Sequence, residues 1–187
     1  DGMWEMKQAF EAKLGEGGGN DKETAYAEKL TKEYQTRWLG WVGNCVAEDP
    51  RAVLLGKVAD GDGDRLAGYV FLLPESLAFV WDAAVVNELY VDPQYRGTGL
   101  AEDLLAEAVA VARDQQLPLD RLLLDVDREN DRARAFYDAH GFDHLGAMLA
   151  RPLDDCDLAE VTSAVVVSGT PGRSTIYVVR VTTRLDS

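Results

Sequence analysis

The chain has 187 residues, 47% of them hydrophobic, which is enough for one globular domain with its own core and too apolar for disorder. Its formal charge of −14 excludes a general nucleic-acid binder, which needs a basic footprint. The same charge suits cationic substrates such as amines, and it suits plain solubility equally well. Met3, Met6, Phe10 and Leu14 recur at helical spacing and predict a first helix. The glycine-rich residues 15–20 break it, and without a following Gly-Lys-Ser/Thr they are no phosphate loop. From Lys22 the spacing predicts a second helix with Tyr26, Leu30, Tyr34, Trp38 and Trp41 on one face, an aromatic stripe read as core.

Residues 52–58 and 66–73 read as strands joined by Asp60-Gly61-Asp62-Gly63-Asp64. That joint resembles the start of a calcium loop, but Arg65 stands where an EF-hand needs glycine and Phe71 where it needs glutamate. A hairpin turn is therefore expected. Pro74 closes this unit. Residues 85–91 predict a strand ended by Asp92-Pro93, then a long helix over 98–116 with Leu100, Leu104, Leu105, Ala108, Val111 and Ala112 facing inward. A strand over 121–126, a helix over 130–139 stopped by His140-Gly141, and a strand over 142–150 follow. Residues 161–167 and 175–183 predict a terminal strand pair around Gly169-Thr170-Pro171-Gly172. The order predicts a single mixed α/β (α+β) domain over residues 1–187, with no repeat and no linker.

Cys45 and Cys156 give no disulfide framework, and His140 and His144 carry no ligand motif. The expectation is no metal and no Ser-His-Asp triad. No apolar run is long enough to cross a bilayer and no leader pattern is visible, so a cytoplasmic protein without membrane partners is expected.

The turn between the third strand and its helix can do chemistry. The first N–H groups of a helix have no partner inside it, and the macrodipole adds roughly half a positive charge there. An anion such as a pyrophosphate fills that place. Gly97 and Gly99 remove side chains where backbone must approach a ligand, and Arg96 adds charge. Glycines at such a turn also serve a tight turn with no ligand. The full string Glu88-Leu89-Tyr90-Val91-Asp92-Pro93-Gln94-Tyr95-Arg96-Gly97-Thr98-Gly99 is far more specific. It closely resembles the GNAT superfamily of N-acetyltransferases, whose signature is Gln/Arg-x-x-Gly-x-Gly/Ala.

The resemblance implies a mixed, mostly antiparallel, twisted sheet flanked by helices, and acetyl-CoA as acyl donor. It implies that the backbone of Arg96, Gly97, Thr98, Gly99, Leu100 and Ala101 holds the coenzyme A pyrophosphate. Leu89, Tyr90 and Val91 would lie along the pantetheine arm, with Leu89 and Val91 pairing to it as if it were an added strand.

A second string supports the first. Asp125-Val126-Asp127-Arg128-Glu129-Asn130 leads into Phe136, Tyr137 and then His140-Gly141-Phe142. Asn130 can cap the helix, and Tyr137 follows it by about two turns, so both can face one side. This also resembles the GNAT family, in which the Asn contacts pantetheine and the Tyr hydroxyl lies near the sulfur. A phenol there stabilises a departing thiolate; a buried tyrosine with a satisfied hydroxyl is the structural alternative. Phe136 reads as core; Arg132 and Arg134 could reach the adenosine phosphates, though an ordinary surface place is the first reading.

An ammonium cannot attack until it loses a proton. Glu88, Asp125 and Asp82, in that order, are the candidate bases, against the alternative of bulk water. Among 33 acids, each is equally a solvated or paired carboxylate. The implied activity is direct attack of a primary amine, from a small molecule or a peptide, on the thioester. A non-catalytic acetyl-CoA-binding regulator on the same fold is the alternative, and another acyl-CoA is also open.

The resemblance covers about residues 52–151. It departs from the family at both ends. The family's first strand is missing ahead of the first helix, and the strand over 175–181 has no family counterpart. That last strand would take the missing place, within the chain or swapped in a homodimer, or else form an ordinary terminal hairpin.

Overall fold

A computed structural model describes residues 2–15, 19–60 and 63–148. The chain divides into two compact units, residues 1–142 and 143–187. The helices, the sheet and the cleft described below belong to the first. The expected strands over 161–167 and 175–183, the tip of the acidic hairpin turn and Cys156 lie outside the described residues.

Three helices open the chain: α1 (Gly2–Gly15), α2 (Gly19–Glu28) and α3 (Lys32–Glu48). The single helix expected from Lys22 to Trp41 is thus two. Thr31 breaks it, because its Oγ1 accepts the Tyr34 N–H at 3.1 Å and starts a new helix. The inward face of α3 is Trp38, Val42 and Cys45, while Trp41 is partly exposed and meets the Phe71 ring edge-on at 5.0 Å. Cys45 is a free, buried thiol.

Next come β1 (Val53–Asp60), β2 (Gly63–Leu72), β3 (Ala84–Val91), α4 (Leu100–Asp114), β4 (Leu122–Leu124) and α5 (Asp131–Ala139). The sheet order is β1-β2-β3-β4, antiparallel at the first two pairings and parallel at the third. This is the mixed, mostly antiparallel sheet expected. Among the described residues no strand precedes α1. The strand expected over 142–150 does not form in its described part, residues 142–148. Its large apolar residues there fall at Phe142, Leu145 and Met148, a spacing of three, and a pleated strand with one buried face does not have that period.

The sheet has a core on each face. On one, Leu104, Ala108, Val111 and Ala112 of α4 pack on Val70, Leu72, Ala84, Val86 and Val91. On the other, Met6 of α1 and Trp38, Val42 and Cys45 of α3 pack on Tyr69, Phe71 and Tyr90. Gly56 and Gly68, paired across β1 and β2, bring α4 close: a Cβ on Gly56 would lie 2.8 Å from Leu100, and one on Gly68 2.7 Å from the Tyr90 carbonyl.

Two features of β3 position the site. Phe71 pairs with Glu88 and Leu72 with Val86, so Asn87 is an extra residue, a bulge. The bulge changes the parity of the strand. Ala84 and Val86 face α4 before it; Tyr90 faces α1 and α3 after it, and Leu89 and Val91 turn toward α4. Meanwhile β4 pairs with β3 only along residues 84–86. Beyond that point the two strands part, and among the described residues no strand covers this side of β3 over 87–91.

Candidate active site

A cleft of about 710 Å³ opens where β3 and β4 separate. The end of β3 contributes Leu89, Tyr90 and Val91, and the turn into α4 contributes Arg96, Gly97, Ala101 and Glu102. The loop into α5 adds Asp127, Glu129 and Asn130, with Ala133, Phe136 and Tyr137 behind them, and α1 closes one side with Phe10, Lys13 and Leu14. The cleft thus unites both motifs, which lie far apart in sequence.

The backbone explains much of it. Asp92 donates its N–H back to Ala67 of β2 at 2.9 Å, so its neighbour Val91 turns its polar groups the other way. Arg96 Nε confirms this by donating to the Val91 carbonyl at 2.9 Å. By the two-residue period Leu89 turns the same way, toward the open edge.

At the turn, Gly97 and Gly99 have φ of +76° and +93°, which L side chains rarely adopt. No atom lies within 4 Å of a Cβ built at either, so packing does not demand glycine there. Gly99 is the N-cap of α4 and provides no side-chain cap, whereas α3 has Thr31 and α5 has Asn130. The first amides of α4 are therefore left for an external acceptor, the setting an anion requires. Thr98 lies in the same turn, its Oγ1 donating to the Tyr95 carbonyl at 2.7 Å, and Leu100 packs half-buried under the helix start. These residues fit a pyrophosphate.

Asn130 Oδ1 accepts the Ala133 N–H at 3.1 Å, so it caps α5 and lines the cleft at once. Tyr137 lines the same wall. It stacks edge-on against Phe136 and Phe142, at 5.3 and 5.5 Å between ring centres. Burial pushes its phenol up to about 12. Phe136 lines the cleft as well as packing, and Arg132, exposed as expected, lines it too. Arg134 instead donates to the Arg128 carbonyl at 3.1 Å.

The three candidate bases fall outside the cleft lining. Asp125 is exposed beyond the end of β4. Asp82 is exposed in the turn before β3, with φ of +51°. Glu88 is 5% exposed on the α1 side of the sheet. Its Oε1 accepts from Lys7 Nζ at 2.5 Å and from Asn87 Nδ2 at 3.3 Å, and its Oε2 accepts the Tyr69 hydroxyl at 2.6 Å.

Lys7 also pairs with Glu11 at 2.6 Å, and Glu11 with Lys29 at 2.6 Å. The Lys7 ammonium lies 5.1 Å from the Phe10 ring centre and 5.2 Å from that of Trp38. Burial opposes charge on Lys7, yet Glu88 and Glu11 outweigh it and hold the ammonium above its ordinary value. Burial likewise opposes charge on Glu11, and Lys29 and Lys7 outweigh it and hold the carboxyl below its ordinary value. Burial and the Glu88 carboxylate push the Tyr69 phenol up.

Lys7, Glu11 and Asp127 were not singled out from the sequence. A signal for the first two exists: they sit four apart inside the Met3–Met6–Phe10–Leu14 stripe, where a surface pair would not fall.

Similarity to known proteins agrees with this geometry. Residues 19–142 match the model of the acetyltransferase (GNAT) family. That span reaches further toward the N-terminus than the resemblance read from sequence, and takes in α2 and α3. The chain is 34% identical over 109 residues to a mycothiol acetyltransferase of Salinispora tropica, covering 56% of this chain and 30% of that protein. It is 36% identical over 95 residues to an uncharacterized N-acetyltransferase of Mycobacterium bovis, covering 50% of this chain and 54% of that one. The chain therefore spans about half or less of the length of these relatives. Its fold is similar to the PaiA N-acetyltransferase of Thermoplasma acidophilum solved with coenzyme A, with a TM-score of 0.51 at 21% identity over 75% of this chain and 81% of that one. The chain belongs to the acetyltransferase (GNAT) family.

Proposed function

We propose that this chain transfers an acetyl group from acetyl-CoA to a primary amine of a small molecule or peptide, in the cytoplasm. One observation carries the reading: the uncapped start of α4, the open edge of β3 and Tyr137 all face one cleft. Acetyl-CoA, when bound, supplies an acyl group activated as a thioester. The amides from Gly97 to Ala101 bind its pyrophosphate, and Leu89 and Val91 offer main-chain partners to its extended arm. Asn130 fixes the wall opposite.

Tyr137 keeps its proton at neutral pH, as an ordinary phenol does, and burial raises it further, to about 12. It acts as a hydrogen-bond donor to sulfur, which lowers the barrier to losing a thiolate. Glu88 is a poor direct base, since both its oxygens are engaged away from the cleft. Proton loss from the amine to water through the open cleft fits the geometry better.

The test is release of free thiol from acetyl-CoA with a panel of primary amines. Tyr137→Phe should reduce kcat by about a hundredfold and leave coenzyme A affinity unchanged. Unchanged turnover removes Tyr137 from the mechanism. Coenzyme A binding with no thiol release from wild-type protein would favour a non-catalytic regulator.

A further inference from the structure

The acceptor must bring an ammonium into the cleft, and the fold sorts the acids available to meet it. Glu88 lies outside the cleft lining with both oxygens occupied, and Asp125 and Asp82 are exposed elsewhere. Four acids line the cleft: Glu102, Asp127, Glu129 and Asp131. Glu102 stands in the first turn of α4, beside the anion-ready amides. Asp131 opens α5 beside Arg134, 3.9 Å away. Asp127 differs in that it already holds a primary ammonium, that of Lys22 from α2.

We propose that Asp127 recognises the ammonium of the acceptor, and that Lys22 marks the place this ammonium takes. The inference rests on the acetyl-transfer reading above. Three points carry it. Lys22 and a primary amine present the same group, so exchange replaces one charge-assisted hydrogen bond with another.

The Lys22 and Asp127 side chains are 28% and 26% exposed, so water screens their pair and it gives way cheaply. The buried Lys7–Glu88 pair, at 3% and 4%, does not. Finally, Asp127 is held in place without Lys22: its Oδ1 accepts the Glu129 N–H at 3.0 Å. The Lys22 ammonium first, and that N–H second, hold its carboxyl below the ordinary range.

Phe10 and Leu14 line the same cleft from α1. The acceptor class that fits is a primary ammonium carried on an apolar chain. Recognition makes no covalent bond; the proton leaves to water before attack.

The test is steady-state kinetics of wild-type, Asp127→Asn and Lys22→Met proteins. Acetyl-CoA is saturating, and phenethylamine, tyramine and a lysine-containing peptide are the probes. Asparagine keeps the oxygen that accepts the Glu129 N–H, so melting temperature and acetyl-CoA KM should not change. Acceptor KM should rise about tenfold, the scale of one hydrogen bond to a charged group. Lys22→Met removes the competitor and should lower acceptor KM.

A pair that only holds α2 to the loop would move both variants in one direction, and that result overturns the proposal. So does an unchanged acceptor KM in Asp127→Asn. No thiol release from wild-type protein with any probe overturns the acetyl-transfer reading and this inference with it.

Discussion

Lys7 is the residue whose loss the fold should feel most. It is 3% exposed and lies between Glu11 and Glu88, which are 2% and 5% exposed. Lys7→Met leaves Glu88 without its cation, and breaking a buried pair from one side costs about 3–5 kcal/mol. Lys7→Met/Glu88→Gln should recover part of this, because Glu11 keeps Lys29. Urea unfolding of the single and double variants checks it; additive losses would mean the two do not couple.

The network also sets a pH window. Glu11 has a depressed folded pKa, so its contribution is full above the ordinary carboxylate value and is lost as pH falls through the folded one. Lys7 has a raised folded pKa, so its contribution is full below the ordinary lysine value and is lost as pH rises through the folded one. Stability should be flat between about pH 5 and pH 10 and fall on both sides. In Lys7→Met the alkaline fall should shrink but not vanish, because the Tyr69 phenol, also raised, keeps its share. The sequence placed Lys7 and Glu11 inside the apolar stripe of α1 but gave no sign that Glu88, far along the chain, would meet them.

At the scale of elements, α4 and the turn before it were the most legible. The spacing of Leu104, Leu105, Ala108, Val111 and Ala112 named the buried face correctly, because a helix against a sheet repeats its contacts regularly. The bulge at Asn87 was not legible, since a run of strand-forming residues gives no sign of which one lacks a partner. That one residue moves Glu88 to the α1 side and out of the cleft lining. The break at Thr31 was hidden by an aromatic stripe that continues across it.

Close approach of α4 to the sheet depends on Gly56 and Gly68. Gly68→Ala would set a Cβ 2.7 Å from the Tyr90 carbonyl and 3.3 Å from Leu104. The expected cost is about 1–3 kcal/mol, seen as a lower melting temperature. An unchanged melting temperature would mean that β3 and α4 both give way freely.

For the whole molecule, two strings of residues announced a family before any coordinate did. Each combines a backbone geometry with side chains in a fixed order. What the strings could not place was the acceptor side. On the proposal above it depends on a contact between residues as far apart as Lys22 and Asp127. The expected terminal strand pair, the idea that it replaces a first strand, and the homodimer it would allow all rest on segments outside the described residues. No described helix is long and apolar enough to cross a membrane.

The central claim is that the turn into α4 holds coenzyme A. Isothermal titration of coenzyme A into wild-type and Gly99→Val protein tests it most directly. Gly99 has φ of +93° with open space beyond it, so valine strains the turn without disturbing the core. Wild-type protein should bind one equivalent, and Gly99→Val should bind at least about tenfold more weakly while its core remains folded. No saturable binding by wild-type protein, or equal binding by both, would contradict the claim.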